Sequence, residues 1–212
     1  MKYSKANTYF TADEKTKIEE AIHEVELASI GEVVAMVVDS SDRYPEAAVT
    51  GGVFLASVVS LTASRLFLGS SLWYFILLQF FLFFPFRFFL EASPFFKAMF
   101  IGPRAKEERV RQRALEAFYE KGLYKTCGNT GVLFFLSLYE RKVRVLADKG
   151  IYEKIQQETI EHFAKAVSQG MKEGRGCEAL CKAVRDAGRL LSKHFPAEPG
   201  DVNELPDKVI CK

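Results

Sequence analysis

Apolar residues recur along this chain with different periods, and each period predicts a different element. Thr11-Ala12-Asp13-Glu14 has the spacing of a capping box. Ile18, Ala21, Ile22, Val25 and Ala28 then follow at helical intervals, and Gly31 is the expected helix terminator. Residues 32–38, Glu-Val-Val-Ala-Met-Val-Val, are a continuous apolar run. That run predicts a strand buried on both faces and therefore central. Turn residues fill 39–45. After a long gap, residues 106–121 resume a helical period, with Val110, Ala114, Leu115 and Phe118 on one face and Gly122 at the end. Residues 132–138 predict a second buried strand. A turn at Glu140-Arg141 leads into a third strand, 143–147, giving a β-hairpin that Asp148-Lys149-Gly150 ends. Two amphipathic helices finish the pattern. Ile155, Ile160, Phe163, Ala164 and Val167 line the first, which ends at Gly170; Leu180, Ala183, Val184, Ala187 and Leu191 line the second. The tail from Phe195 shows no periodicity.

The gap has no amphipathic period because nearly everything in it is apolar. Residues 49–67 form one such stretch, and residues 72–86 a second that continues to Leu90; Gly69-Ser70-Ser71 makes a turn between them. A helix of about 20 apolar residues crosses a hydrocarbon core, so the reading is a transmembrane hairpin. Arg65 and Arg87 lie where each can snorkel to an interface. A buried hairpin in a soluble protein is the plainer alternative, but a core this small could not surround so many consecutive phenylalanines. Ser93-Pro94 breaks the second helix, and Phe95, Phe96, Met99 and Phe100 suit an interface. Arg104, Lys106, Arg109, Arg111 and Arg113 then form a basic cluster. It predicts a cytoplasmic side and could grip anionic lipid headgroups. The first residues lack the apolar core of a signal peptide, which also predicts cytoplasmic termini.

Composition sharpens this picture. Of 212 residues, 29 are Lys or Arg and 27 Asp or Glu, for a net charge of +2, which argues against a nucleic-acid partner. Phe is abundant at 19 residues, most of them between positions 54 and 100. A polar domain carrying a membrane insert explains that segregation better than one uniform core. Cys127, Cys177, Cys181 and Cys211 form no CxxC pair; Cys177 and Cys181 read as small apolar residues on one helix face.

Two groups could carry chemistry. Asp39, Ser40 and Asp42 fall at the end of the first strand. Asn129, Thr130, Asp148 and Glu153 gather at the opposite end of the sheet, where carboxylates could hold a hard cation, calcium or magnesium. Turn and cap chemistry is the plainer reading of both groups. His23, His162 and His194 are scattered, and no phosphate-cradling loop, nucleophile elbow or HExxH occurs.

Several blocks resemble the TPM-domain family, in a bacterial branch with a membrane insert after the first strand. They are Gly31-Glu32-Val33-Val34, the run from Thr130 through Leu138, the run from Glu140 through Ile151, and the tail Pro199-Gly200-Asp201-Val202-Asn203-Glu204-Leu205-Pro206-Asp207. The resemblance implies an α/β sandwich, a small mixed β-sheet packed with helices and interrupted here by the two-helix transmembrane hairpin. The crossover favours parallel pairing of strands one and two, and the tight turn antiparallel pairing of strands two and three. Some plant members of the family are described as acid phosphatases. The family's acidic turn falls on Asn129-Thr130-Gly131, without a carboxylate, and its Gly-aromatic-Gly becomes Asp148-Lys149-Gly150. The expected organisation is a first domain part at residues 1–46, the hairpin and interfacial segment at 47–102, the second domain part at 103–195 and a tail at 196–212. The expected function is a non-catalytic binding or assembly module in a bacterial inner membrane. Its partners would be the lipid bilayer and other membrane proteins or a second copy. The alternative is a divalent-metal-assisted phosphatase.

Overall fold

The computed structural model describes residues 5–67, 72–197, 205 and 208–211. The turn at residues 69–71 and most of the family-like tail lie outside that set. Packing divides the chain into two units, residues 1–42 with 107–212 and residues 43–106.

The first unit opens with a short helix α1 (Lys5–Tyr9) and then α2 (Ala12–Glu26). The capping box forms as the spacing predicts: Glu14 N–H donates to Thr11 Oγ1 at 3.3 Å, and Thr11 N–H donates to Glu14 Oε2 at 2.9 Å. The helix stops at Glu26, well before Gly31, so the expected glycine terminator is not used. Strand β1 (Val33–Val38) follows.

The second unit holds α3 (Pro45–Phe67), α4 (Leu72–Ala92), α5 (Pro94–Met99) and the start of α6 (Pro103–Glu120). Small residues four apart, Ala48, Gly52, Ala56, Ser60 and Ser64, are among the buried positions of α3. Small side chains let two helix backbones approach closely, and α3 packs along α4 on this side. Both helices are long and apolar enough to cross a membrane, each with a mean hydropathy of 1.7. Only 6% of the α4 span is buried, against 39% for α3. Trp73, Leu77, Phe80, Phe81, Phe84 and Phe88 all stand exposed on α4.

The chain then completes the first unit with two 3-10 turns (Leu123–Lys125 and Cys127–Asn129), β2 (Val132–Ser137), β3 (Lys142–Ala147), α7 (Lys149–Tyr152), α8 (Gln157–Lys172), α9 (Gly176–His194) and β4 (Ile210–Cys211). The sheet order is β3-β2-β1-β4. β1 pairs parallel with β2 from Val33↔Val132 to Val38↔Ser137, and β2 pairs antiparallel with β3 from Val132↔Ala147 to Ser137↔Lys142. The sheet is therefore mixed and packed with helices, as read from the sequence. β4 is the addition: Ile210 sits opposite Met36, parallel to β1, within what reads as a patternless tail. Two residues are too few to carry a period.

Alternation along the strands sends side chains to two faces. Val33, Ala35, Val37, Phe134 and Leu136 join Ile18 and Ile22 of α2, Val167 of α8, and Leu180 and Val184 of α9. Val34, Met36, Val38, Leu133 and Phe135 join Val110, Ala114, Ala117 and Phe118 of α6. Leu115, expected on that face, is exposed instead, and Ala117 takes the buried place. Phe134 and Phe135 are both fully buried on opposite faces, each worth about 2–3 kcal/mol of apolar transfer. Gly170 does not end its helix: α8 runs on to Lys172. A Cβ at Gly170 would fall 2.2 Å from that of Ala179, so this glycine is where α8 and α9 touch.

The two ends of the insertion leave the first unit side by side, because Asp42 Oδ2 meets Arg109 Nε at 2.9 Å. Loop length costs little entropy. Replacing residues 43–106 with a short flexible linker is expected to yield a folded, soluble domain with a dispersed NMR spectrum. The fragment from residue 107 onward lacks β1 and α2 and is expected to stay unfolded; a dispersed spectrum from it would contradict this account.

Candidate functional site

The carboxyl ends of the parallel strands β1 and β2 are where ligands often bind in α/β sheets. Here that end is occupied by a network centred on Glu140. Its carboxylate is buried, in the turn between β2 and β3. Ser41 N–H donates to Oε1 at 3.1 Å. Ser40 Oγ lies 3.2 Å from the same oxygen and 2.7 Å from the Asp42 carbonyl. Ser41 Oγ donates to Ser137 Oγ at 2.9 Å, and Ser137 in turn donates to Glu140 Oε2. Burial first, and the nearby Glu140 charge second, push the Tyr139 hydroxyl above its ordinary pKa.

The sequence-predicted members of this end are bound up in the same way. Asp39 Oδ1 accepts from Ala6 N–H at 2.6 Å and so caps the first turn of α1. Asp42 holds Arg109. The structure thus brings Asp39, Ser40 and Asp42 to one strand end, each engaged with a partner inside its own unit.

At the opposite end Asp148 is the N-cap of α7, its Oδ1 accepting from Lys149 N–H at 2.7 Å. Its Oδ2 is buried without a hydrogen-bond partner. Thr130 is fully buried; its Oγ1 donates to Ile30 O at 2.9 Å and its N–H to Thr126 Oγ1 at 3.1 Å. Asn129 takes a left-handed φ of 55° directly after Gly128 at 75°. This turn presses its carbonyls on α7: a Cβ at Gly150 would fall 2.5 Å from Gly128 O and 2.8 Å from Asn129 O. Asn129 and Asp148 therefore meet through α7. Glu153 instead lies at the far end of α7, exposed, 3.8 Å from Lys149 Nζ. Among the described residues no three His, Cys, Asp or Glu side chains converge to hold an ion.

The basic cluster is interleaved with carboxylates on the same helix. Arg111 pairs with Glu108 at 2.8 Å, and Arg113 with Glu116 at 3.3 Å and Glu120 at 3.2 Å. Lys106 Nζ donates to Ala98 O at 3.3 Å. Arg104 is exposed. Glu107 of α6 grips Lys142 and Arg144 on β3. The Lys142 hydrogen bond first, then the charges of Arg144 and Lys142, hold its carboxyl below the usual range despite partial burial.

Residues 98–190 match the family model of the TPM domain. That segment is similar to the TPM domain. The matched segment runs from α5 into α9 and includes the β2–β3 hairpin. The fold is also similar to the NMR structure of BA42 protein from the psychrophilic bacterium Bizionia argentinensis, with a TM-score of 0.61, 18% identity and 96% of each chain covered. No curated protein sequence matches the chain.

One feature at the carboxyl end of the sheet escapes sequence reading. Glu140 looks like a solvated turn residue, because its partners Ser40 and Ser41 lie about a hundred positions earlier. In the basic cluster, Arg111–Glu108 and Arg113–Glu116 have the i, i+3 spacing that a helix brings together, whereas Asp42 reaches Arg109 from outside the helix. The cysteines follow expectation: Cys177 and Cys181 Sγ each point at a carbonyl of α2, Glu14 O and Lys17 O, at 3.6 Å.

Removing the Glu140 acceptor leaves the part-buried Ser41 N–H and the buried Ser137 hydroxyl proton without their acceptor, which costs about 1–3 kcal/mol. Glu140→Ala is expected to lower stability by about 2 kcal/mol in urea unfolding, whereas the exposed Glu153→Ala changes it by less than about 0.5 kcal/mol. Equal effects would contradict the central place given to Glu140. Burial pushes the Cys181 thiol from its ordinary 9.0 up to about 12. Its share of stability is therefore present below pH 9.0 and lost as pH rises toward about 12. At pH 8 iodoacetamide is expected to spare Cys181 in the native protein and to modify it once urea unfolds the domain; rapid native labelling read by peptide mass would refute its burial.

Proposed function

We propose that this chain is a bilayer-anchored TPM domain serving as a non-catalytic binding or assembly module for membrane-protein partners, in a bacterial inner membrane. One observation carries the reading: α4 is a 21-residue apolar helix with 6% of its span buried. Exposed phenylalanines along the length of a helix are costly in water and favourable in lipid. The polar groups at both ends of the sheet supply the second support. Most are engaged in caps, turns and ion pairs, and no nucleophile–base pair is among those described above. Lys and Arg orient the hairpin. Arg43, Lys97, Arg104 and Lys106 flank its open end, and Arg65 alone lies toward the turn. Orientation follows that bias, so the domain and both termini face the cytoplasm.

A divalent-metal-assisted acid phosphatase is the second reading. The buried, unpartnered Asp148 Oδ2 favours it, and calcium or magnesium would be the cofactor.

Two measurements decide. Ser70→Cys, in a variant without the native cysteines, is expected to react with an impermeant maleimide from outside intact cells, while a cysteine in the tail is not. The reverse pattern inverts the orientation, and release of the chain by alkaline carbonate ends the anchoring. Purified protein is expected to leave p-nitrophenyl phosphate intact with or without calcium or magnesium. Metal-dependent turnover that disappears in a folded Asp148→Ala variant would make the chain an enzyme.

A further inference from the structure

Charge is divided unequally between the two units. Residues 43–106 contain six basic side chains, Arg43, Arg65, Arg87, Lys97, Arg104 and Lys106, against Glu46 and Glu91. The first unit carries the remaining 23 Lys and Arg against 25 Asp and Glu. The apolar unit is thus the basic one, although most of its length is hydrocarbon. Five of its six cations fall outside the hairpin's turn region, toward the end from which the chain enters and leaves.

At that end sits α5, a six-residue helix with an apolar surface of unusual exposure. Phe95 is 78% exposed and Met99 74%, with Phe96 beside them. A helix this short does not hold itself together in water. It is fixed from behind instead. Phe100 follows it and fills a notch at Gly51, where a Cβ would fall 2.7 Å from both the Phe100 ring and Leu90 Cδ1. Lys97 donates to the carbonyl of Arg43 and ties α5 to the start of α3. The Phe96 ring packs on Phe89 of α4 at 5.4 Å. The result is a knee held against α3 and α4 that leaves Phe95 and Met99 exposed, with Lys97, Arg104 and Lys106 close by in sequence.

We propose that this knee is a docking surface for the anionic headgroup layer of one bilayer leaflet, with Phe95, Phe96 and Met99 immersed at the acyl boundary and Lys97, Arg104 and Lys106 selecting anionic lipid. It rests on the reading of α3 and α4 as bilayer spans. Aromatic and long apolar side chains beside cations are the chemistry of an interfacial anchor. Charge complementarity decides between lipid classes, since a zwitterionic layer offers no net attraction. It also separates this surface from the rest of α6. Arg109, Arg111 and Arg113 pair with Asp42, Glu108, Glu116 and Glu120, so their charge is already offset within the first unit. The cations that select lipid are therefore those before Glu107. An ammonium has three donors, which leaves Lys97 able to bind a headgroup while holding Arg43 O.

The test uses the full chain reconstituted in vesicles of equimolar phosphatidylglycerol and phosphatidylcholine. Lipids retained after mild detergent extraction are counted by native mass spectrometry. Wild type is expected to retain phosphatidylglycerol in excess, each cation contributing up to about five-fold. The triple variant Lys97→Gln, Arg104→Gln, Lys106→Gln is expected to retain both lipids equally. The triple variant Arg109→Gln, Arg111→Gln, Arg113→Gln keeps the excess. No preference in wild type, or equal loss in both variants, overturns the proposal. Depth is read separately. Phe95→Trp in a Trp73→Phe background is expected to be quenched by lipid brominated near the headgroup end of the chain, and an unquenched indole overturns the immersion of α5. If the wild-type chain is stripped from the vesicles by alkaline carbonate, the spanning hairpin itself fails; a chain that resists carbonate but shows no lipid preference refutes only the docking surface.

Discussion

The parallel pairing of β1 with β2 is the constraint on which the rest depends. Parallel neighbours cannot be joined by a tight turn, so the chain must leave at Val38 and return at Val132 by a crossover. All six residues of each strand are buried. Both faces of this pair must consequently be covered, by α2, α8 and α9 on one side and α6 on the other. The antiparallel β3 and the two-residue β4 then occupy the edges. Once the central pair is fixed, the crossover can take up some sixty residues without breaking the pairing of either strand, and residues 43–106 are placed there.

The same crossover shapes the polar end of the sheet. At the carboxyl ends of two parallel strands, backbone N–H and C=O groups run out of ladder partners. Many α/β proteins leave that crevice open to a ligand. Here the chain closes it with its own groups. Glu140 takes the Ser41 amide and the Ser40 and Ser137 hydroxyls, Asp39 takes the α1 amide, and Asp42 takes Arg109. The Asp42–Arg109 contact joins the residue before the insertion to one just after it, so closure of the crevice and closure of the insertion are one arrangement.

What the sequence made legible was whatever depends on neighbours along the chain. The capping box, the valine run of β1, the β2–β3 hairpin and the apolar stretches of α3 and α4 all follow from local pattern, and all are present. Distant partners were not legible. Glu140 becomes the centre of a network only when residues about a hundred positions away arrive, and Ile210 becomes a strand only beside Met36. Glycine misled twice. Gly31 and Gly170 have the look of helix terminators, yet Gly31 lies beyond the end of α2, and Gly170 lies within α8 because Ala179 comes too close for a side chain. The candidate site divided along the same line. Asp39, Ser40 and Asp42 share a strand end by sequence position alone, whereas Glu153 depended on the way α7 turns, and it points to Lys149 rather than to Asp148.

The insertion does little for the sheet itself. Pairing β1 with β2 closes a loop of 93 residues, 39–131, of which α3, α4 and their connection, 45–92, make up 48. A formed hairpin brings its own ends together and roughly halves the effective loop. Each doubling of loop length costs only about 0.6 kcal/mol, so this shortening is a small fraction of the 5–15 kcal/mol that typically holds a domain. The exposed surface of α4 weighs the other way. Fully burying one large apolar side chain is worth about 1.5–3 kcal/mol, and at least six such side chains stand open on that helix. Covering them is worth many times what the shortened loop returns. The energetics of the insertion therefore lie in whatever surrounds the hairpin, and a hydrocarbon phase is the surrounding that its length and composition match.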